Sequence, residues 1–187
     1  MKIGAIILAA ACCLGPGDAL AQPTPERFVA FGDLGYARTW DDEGLLGAGA
    51  GLTGGFGVRL TERLTVQLVV DRFGYHRDED WLTFDGRVIF TGVEAAFSSA
   101  ERRVRGFWSI GGGFFNDDGT AIWKSSLDRV DRHFTLAAMT ASGGVEVPVS
   151  THASVRVGVR FHGLLDTGDD AAPHSNIQPT IGMSWRW

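Results

Sequence analysis

The chain has 187 residues, a formal net charge of −5 and 26 glycines, and 44% of it is hydrophobic. With Lys2 and Lys124 as its two lysines it has no basic stripe to neutralise phosphates, which excludes a nucleic-acid partner. Both cysteines, Cys12 and Cys13, fall near the N-terminus, so disulfides and cysteine-ligated metals are excluded from the remaining sequence.

The first element is a leader. Met1-Lys2 is followed by apolar residues from Ile3 to Leu14, a break at Gly15-Pro16-Gly17, and Ala19-Leu20-Ala21. This pattern predicts a secretory signal peptide over residues 1–21, cleaved after Ala21. Its apolar part is too short for a spanning helix of roughly 20 residues. Ala9-Ala10-Ala11-Cys12 is a weaker lipoprotein-type alternative, without the usual Leu three positions before the Cys. Residues 22–187 fit one domain.

Eight strands are predicted in that domain. The first spans about residues 27–38. In the second, Leu46, Ala48, Ala50, Leu52, Phe56, Val58 and Leu60 alternate with a face made mostly of glycine. After Thr61-Glu62-Arg63, Leu64, Val66, Leu68 and Val70 continue the alternation, which Val69 breaks. In the fourth, at 84–97, Val88 and Phe90 conflict with the parity of Ile89, Val93 and Phe97, which suggests a bulge or a different register. The fifth and sixth lie at 104–115 and 134–147. The seventh sets Val155, Val157, Val159 and Phe161 against Ser154, Arg156, Gly158, Arg160 and His162. The eighth runs Ile177-Gln-Pro-Thr-Ile-Gly-Met-Ser-Trp-Arg-Trp187. Connections at 61–63, 98–103 and 148–152 are tight. Those around Trp40–Glu43, His76–Asp80, Asn116–His133 and Asp166–Asn176 read as longer acidic loops.

Short turns alternating with long loops suit a membrane barrel, as does an apolar final strand ending on an aromatic residue. A glycine face makes poor sense as a solvated surface and good sense inside a narrow barrel. Aromatic residues fall near strand ends, with Tyr36, Trp40, Phe73, Tyr75, Trp81, Phe84 and Phe134 towards the loops. Phe28, Phe97, Trp185 and Trp187 fall towards the turns, so the two groups read as interfacial girdles. The C-terminal strand resembles the terminal signature of bacterial outer-membrane β-barrels, and residues 22–187 resemble the small OmpA-like and OmpX-like barrels. That resemblance implies an all-β, eight-stranded antiparallel up-and-down transmembrane β-barrel in the outer membrane of a Gram-negative bacterium. It further implies an assembly signal in Met183, Trp185 and Trp187, read by the outer-membrane assembly machinery, and contact with outer-membrane lipid and lipopolysaccharide.

If the apolar set faces lipid, then Arg59, Asp71, Glu94, Glu146, Arg156 and Arg160 point inwards and must pair, because single buried charges are costly. Glu146 and Arg156 flank a tight turn and are expected opposite each other or one step apart. Eight strands leave room for little more than their own side chains, so a salt-bridged plug is the expected reading and a narrow channel the alternative.

No catalytic site is expected. Some eight-stranded barrels that deacylate lipid A use a His-x-Ser-Asn strand, in which His and Ser share a face. Here His174-Ser175-Asn176 puts them on opposite faces, and His162 has no serine partner in sequence. An omptin-like protease calls for a larger barrel. The acidic loop residues (Asp41, Asp42, Glu43; Asp78, Glu79, Asp80; Asp117, Asp118; Asp169, Asp170) lack the ordered spacing of a calcium loop, so neither metal nor cofactor is expected. Divalent cations bridging them to lipopolysaccharide are the alternative to simple solvated charge. The expected role is structural or interactive, in envelope stability, adhesion or contact with an extracellular ligand through the loops.

Overall fold

A computed structural model of the chain describes residues 27–41, 44–99, 103–165 and 175–187. The leader lies outside the described residues. Eight strands follow one another: β1 (Phe28–Asp41), β2 (Gly44–Arg59), β3 (Leu64–Asp78), β4 (Leu82–Ser98), β5 (Arg105–Trp123), β6 (Arg129–Pro148), β7 (Ala153–Leu164) and β8 (Ser175–Arg186). Each pairs with its neighbour in an antiparallel sense, and β8 pairs with β1 to close a barrel.

The register fixes how steeply the strands lean. Following paired residues round the wall, Val29 leads to Gly57, Gln67, Glu94, Gly111, Thr140, His162 and Asn176. Asn176 pairs with Thr39, so the path returns to β1 ten residues beyond its start. A stagger of that size over eight strands means a strong tilt and a slim interior.

Side chains sort by parity into two surfaces. Outward positions are apolar and exposed, among them Leu34 at 64%, Leu68 at 62%, Phe114 at 63% and Ile181 at 58%. Inward positions include the buried Asp33, Gln67, Asp71, Glu94, Thr140, Arg156 and Arg160. A continuous apolar band around a polar centre is the inverse of a soluble barrel, and it far exceeds the patches that soluble monomers expose. Closure joins the last strand to the first and leaves no free sheet edge among the eight strands, which suits hydrocarbon. The protein is a transmembrane barrel.

The glycine face lines the interior, where it makes room for larger neighbours. A Cβ on Gly55 would lie 2.2 Å from the Phe31 ring, and one on Gly113 would lie 2.1 Å from the Thr91 carbonyl oxygen.

Three expectations are corrected. β4 has no bulge, since its pairing runs unbroken from Leu64–Phe97 to Asp78–Thr83. Val88 and Phe90 therefore point inwards, and the interior is apolar at that level. Residues 116–133 do not form a long loop either. β5 continues to Trp123 and β6 begins at Arg129, so the pair rises as a hairpin closed by a tip in which Leu127 adopts a φ of 60°. In this hairpin the outward face carries Asp118, Asp131 and His133, which meet water, while the inward face carries the buried Asp117, so polar residues on both faces give no apolar alternation to read. The loop-side girdle fails in part as well. Phe73 and Tyr75 are buried in the lumen, and Phe84 and Phe134 pack against the same cluster. Tyr36 does face outwards. At the turn end, the rings of Phe28, Phe56 and Trp187 lie within 6.4 Å of one another, with Phe28 and Phe56 stacked, and the Phe97 ring stacks 4.2 Å from Trp108.

Candidate functional site in the barrel lumen

The lumen is built in layers. At the turn end, Glu146 and Arg156 are directly opposed on β6 and β7, with Nε of Arg156 3.5 Å from the carboxylate. Arg186 of β8 also donates to Glu146 at 2.5 Å, and the Ser184 hydroxyl lies 3.4 Å from it. The Arg156 guanidinium sits between two rings, 4.3 Å from the Phe31 centroid and 4.4 Å from that of Phe107. Asp33 lies 3.9 Å from the same arginine. Arg59 stands at the mouth and donates to the Glu62 carbonyl at 2.6 Å rather than to a carboxylate.

Glu94 of β4 occupies the middle. It accepts from Gln67 at 3.0 Å, from Ser109 at 2.7 Å, from Thr140 at 3.2 Å and from Arg160. Glu94 is fully buried and Arg160 is 2% exposed. An ion pair so enclosed is tolerable because hydrogen bonds satisfy the remaining lone pairs.

Asp71 does not join an arginine. Its carboxylate lies 3.5 Å from Nε2 of His162, whose Nδ1 is 3.0 Å from Asn176. The His162 ring is in turn surrounded by Phe90, Phe73 and Phe115, at centroid distances of 4.8, 6.1 and 6.4 Å. These rings and Val88, Ala37 and Ala138 form an apolar layer right across the lumen. Above it the Tyr75 hydroxyl donates to Asp117 at 2.8 Å, and Arg132 reaches Asp117 at 3.2 Å while lying over Phe84 and Phe134.

Of the six charges singled out in sequence, then, the structure brings together Glu146 with Arg156 and Glu94 with Arg160. Arg59 stands apart and Asp71 meets a histidine. Asp33, Gln67, His162, Asp117, Arg132 and Arg186 belong to the same interior. Parity marks them, since Arg186 alternates with Trp185 and Trp187, and Asp33 with Gly32 and Leu34. A cavity of about 40 Å³ at the turn end, bordered by Arg59, Glu146, Arg156 and Arg186, has room for only a few waters.

Among the described residues, His162 and Ser175 do not share a face. His162 is enclosed in the lumen, and Ser175 precedes Asn176 on β8 and so takes the outward parity. His174 lies outside the described residues. No group of three or more His, Cys, Asp or Glu suited to a metal occurs among the described residues. Beyond the apolar band, His133 lies 2.5 Å and Arg87 3.5 Å from the exposed Asp118. The His133 hydrogen bond, with Arg87 adding to it, holds the Asp118 carboxyl below the usual carboxylate range.

No family model and no characterised protein matches the chain by sequence. Solved structures do match. Neisserial surface protein A is 14% identical, with a TM-score of 0.66 over 86% of this chain and 97% of that one. The fold is that of the small outer-membrane barrels. Ail, the attachment invasion locus protein of Yersinia pestis, is 11% identical with a TM-score of 0.54, covering 87% of this chain and 99% of its own. The Escherichia coli outer-membrane protease OmpT superposes at a TM-score of 0.51 and 9% identity, over 88% of this chain and 98% of that one. One architecture thus carries surface proteins and a protease, and only the side chains can assign an activity.

Proposed function

We propose that this protein is a non-enzymatic barrel of the Gram-negative outer membrane whose lumen is a closed, salt-bridged plug. Its role is structural and interactive, with the extended hairpins and loops offering a surface for adhesion or ligand contact. The observation that carries this reading is the transverse layer of Phe73, Phe90, Phe115 and His162, each at most 1% exposed, above the enclosed Glu94–Arg160 pair. A conducting path needs polar, hydrated lining along its length, and this layer interrupts it. The attachment protein of Yersinia pestis, with the same fold, lends weight to a surface role.

The same reading has the leader removed after Ala21 and the chain inserted by the outer-membrane assembly machinery. Met183, Trp185 and Trp187 serve as the signal. Trp187 suits that task because it exchanges backbone hydrogen bonds with Phe28 at 2.8 and 3.1 Å, closing the barrel at its turn end. Lipid and lipopolysaccharide are the surroundings of the outer wall. Planar-bilayer recording tests the plug: the purified barrel should give no steady conductance, and an open, ion-selective current would favour the channel reading instead.

A further inference from the structure

The seam between the first and last strands has a flaw. Pairing runs from Val29–Arg186 to Gly35–Thr180 and resumes at Arg38–Ile177, leaving Tyr36 and Ala37 unpaired opposite Pro179 and Gln178. Proline has no N–H for the ladder and is rare inside a paired strand. In hydrocarbon an interrupted ladder is costly, so a proline at this depth calls for an explanation. On the outer wall Leu34, Gly35, Pro179, Thr180 and Ile181 border an outward-open apolar notch of about 420 Å³.

One step along the same seam, the apolar band ends. Tyr36 and Ile177 flank the notch on its loop side, and Arg38 follows on β1, facing outwards and exposed. Its wall neighbours are Ala48 and Ile177, and among the described residues it has no acidic partner. An arginine at the rim of an apolar band extends towards the interface, where the anions on offer are lipid phosphates. Guanidinium meets phosphate in a bidentate fork. The notch supplies the complement, a recess for a hydrocarbon chain below that headgroup.

We propose that the notch at the β1–β8 seam and Arg38 together bind a phosphorylated glycolipid of the outer leaflet. One acyl chain lies against Leu34, Pro179 and Ile181, and a phosphate accepts from Arg38. This rests on the outer-membrane reading above, because only there does the loop-side leaflet carry phosphorylated glycolipid. Arg72 supplies the internal comparison. It is an exposed, outward arginine on β3, flanked by Leu52 and Ile89 and lying away from the notch, whose border it does not join.

The test is a titration of lipid A into the full barrel in phosphatidylcholine nanodiscs, read by native mass spectrometry, with heat-modifiable migration as a separate measure of insertion. Arg38→Gln should weaken lipid A binding about tenfold, the loss of one charge-assisted contact, and Arg38→Lys should lose less. Pro179→Val, which restores the donor and narrows the recess, should also weaken binding. If that variant fails to fold, Leu34→Trp fills the recess from the lipid side. Arg72→Gln should change affinity by less than about twofold, and dephosphorylated lipid A should bind wild type as weakly as lipid A binds Arg38→Gln. Equal losses from Arg38→Gln and Arg72→Gln would mean diffuse charge attraction and overturn the site. Unchanged affinity in both the Arg38 and the notch variants would overturn it too, as would phosphatidylglycerol binding as tightly as lipid A. Failure of the wild type to insert would count against the membrane reading, not the site.

Discussion

Glu94→Gln isolates the energetics of the lumen, because it changes charge and almost nothing of shape. The carboxylate is fully buried and accepts from Gln67, Ser109, Thr140 and Arg160. Replacing one oxygen with an amide donor leaves Arg160, 2% exposed, as a positive charge without its counterion and sets a donor among donors. Breaking a buried pair in this way costs about 3–5 kcal/mol. Asp71 and Asp33 line the same interior and soften the loss of the counterion, so the lower end of that range is expected. Urea unfolding in lipid vesicles, followed by tryptophan fluorescence, measures it. Adding Arg160→Gln should recover more than half of the loss, since neither desolvated charge then remains. A cost below about 0.5 kcal/mol for the single change would mean that water already screens the pair, and the plug would be wrong.

Other outcomes follow from the same geometry. Gly113→Ala should destabilise by about 1–3 kcal/mol, as its Cβ would press on the Thr91 carbonyl, while Gly32→Ala, with nothing within 4 Å of its Cβ, should be near neutral in the same unfolding assay. Deleting Trp187 removes the hydrogen bonds to Phe28 and two ring contacts, so outer-membrane fractions should lose the heat-modifiable form. Asp118, with its carboxyl held low chiefly by His133, should keep that pairing at neutral pH and lose it only as pH falls through its lowered folded value. Carboxyl NMR titration should therefore show a midpoint below the usual carboxylate range, rising towards it in His133→Ala.

The alternation in β2, β3, β7 and β8 was legible because those strands cross hydrocarbon, where one face must be apolar at every second residue. Parity alone also carried the inward placement of Glu94, Glu146, Arg156 and Arg160. What sequence reasoning missed was the second material inside the barrel. Phe73 and Tyr75 share the inward parity of Gln67 and Asp71, yet aromatic residues near strand ends are also what a girdle supplies, so parity and position along the strand point opposite ways. Val88 and Phe90 mimic a register fault for the same reason: at their level the inward face is large and apolar, not small or polar. The extended hairpin of β5 and β6 was hidden by a different cause. Asp118, Asp131 and His133 all face water outside the membrane, so the period-2 signal vanishes although the pairing continues. The Asp71–His162 contact joins β3 to β7 across the lumen, and no local pattern encodes it.

The central claim, a lipid-facing apolar wall around a sealed lumen, is tested most directly by cysteine accessibility. The two native cysteines, Cys12 and Cys13, both precede the barrel, which suits single-site labelling. In intact outer membranes Val157→Cys should resist a membrane-impermeant maleimide but react with a lipid-soluble one. Thr140→Cys, beside Glu94 and Arg160, should resist both until the barrel is unfolded in urea. Rapid labelling of Thr140→Cys by the impermeant reagent in the folded protein would show water running through the lumen and would contradict the closed barrel.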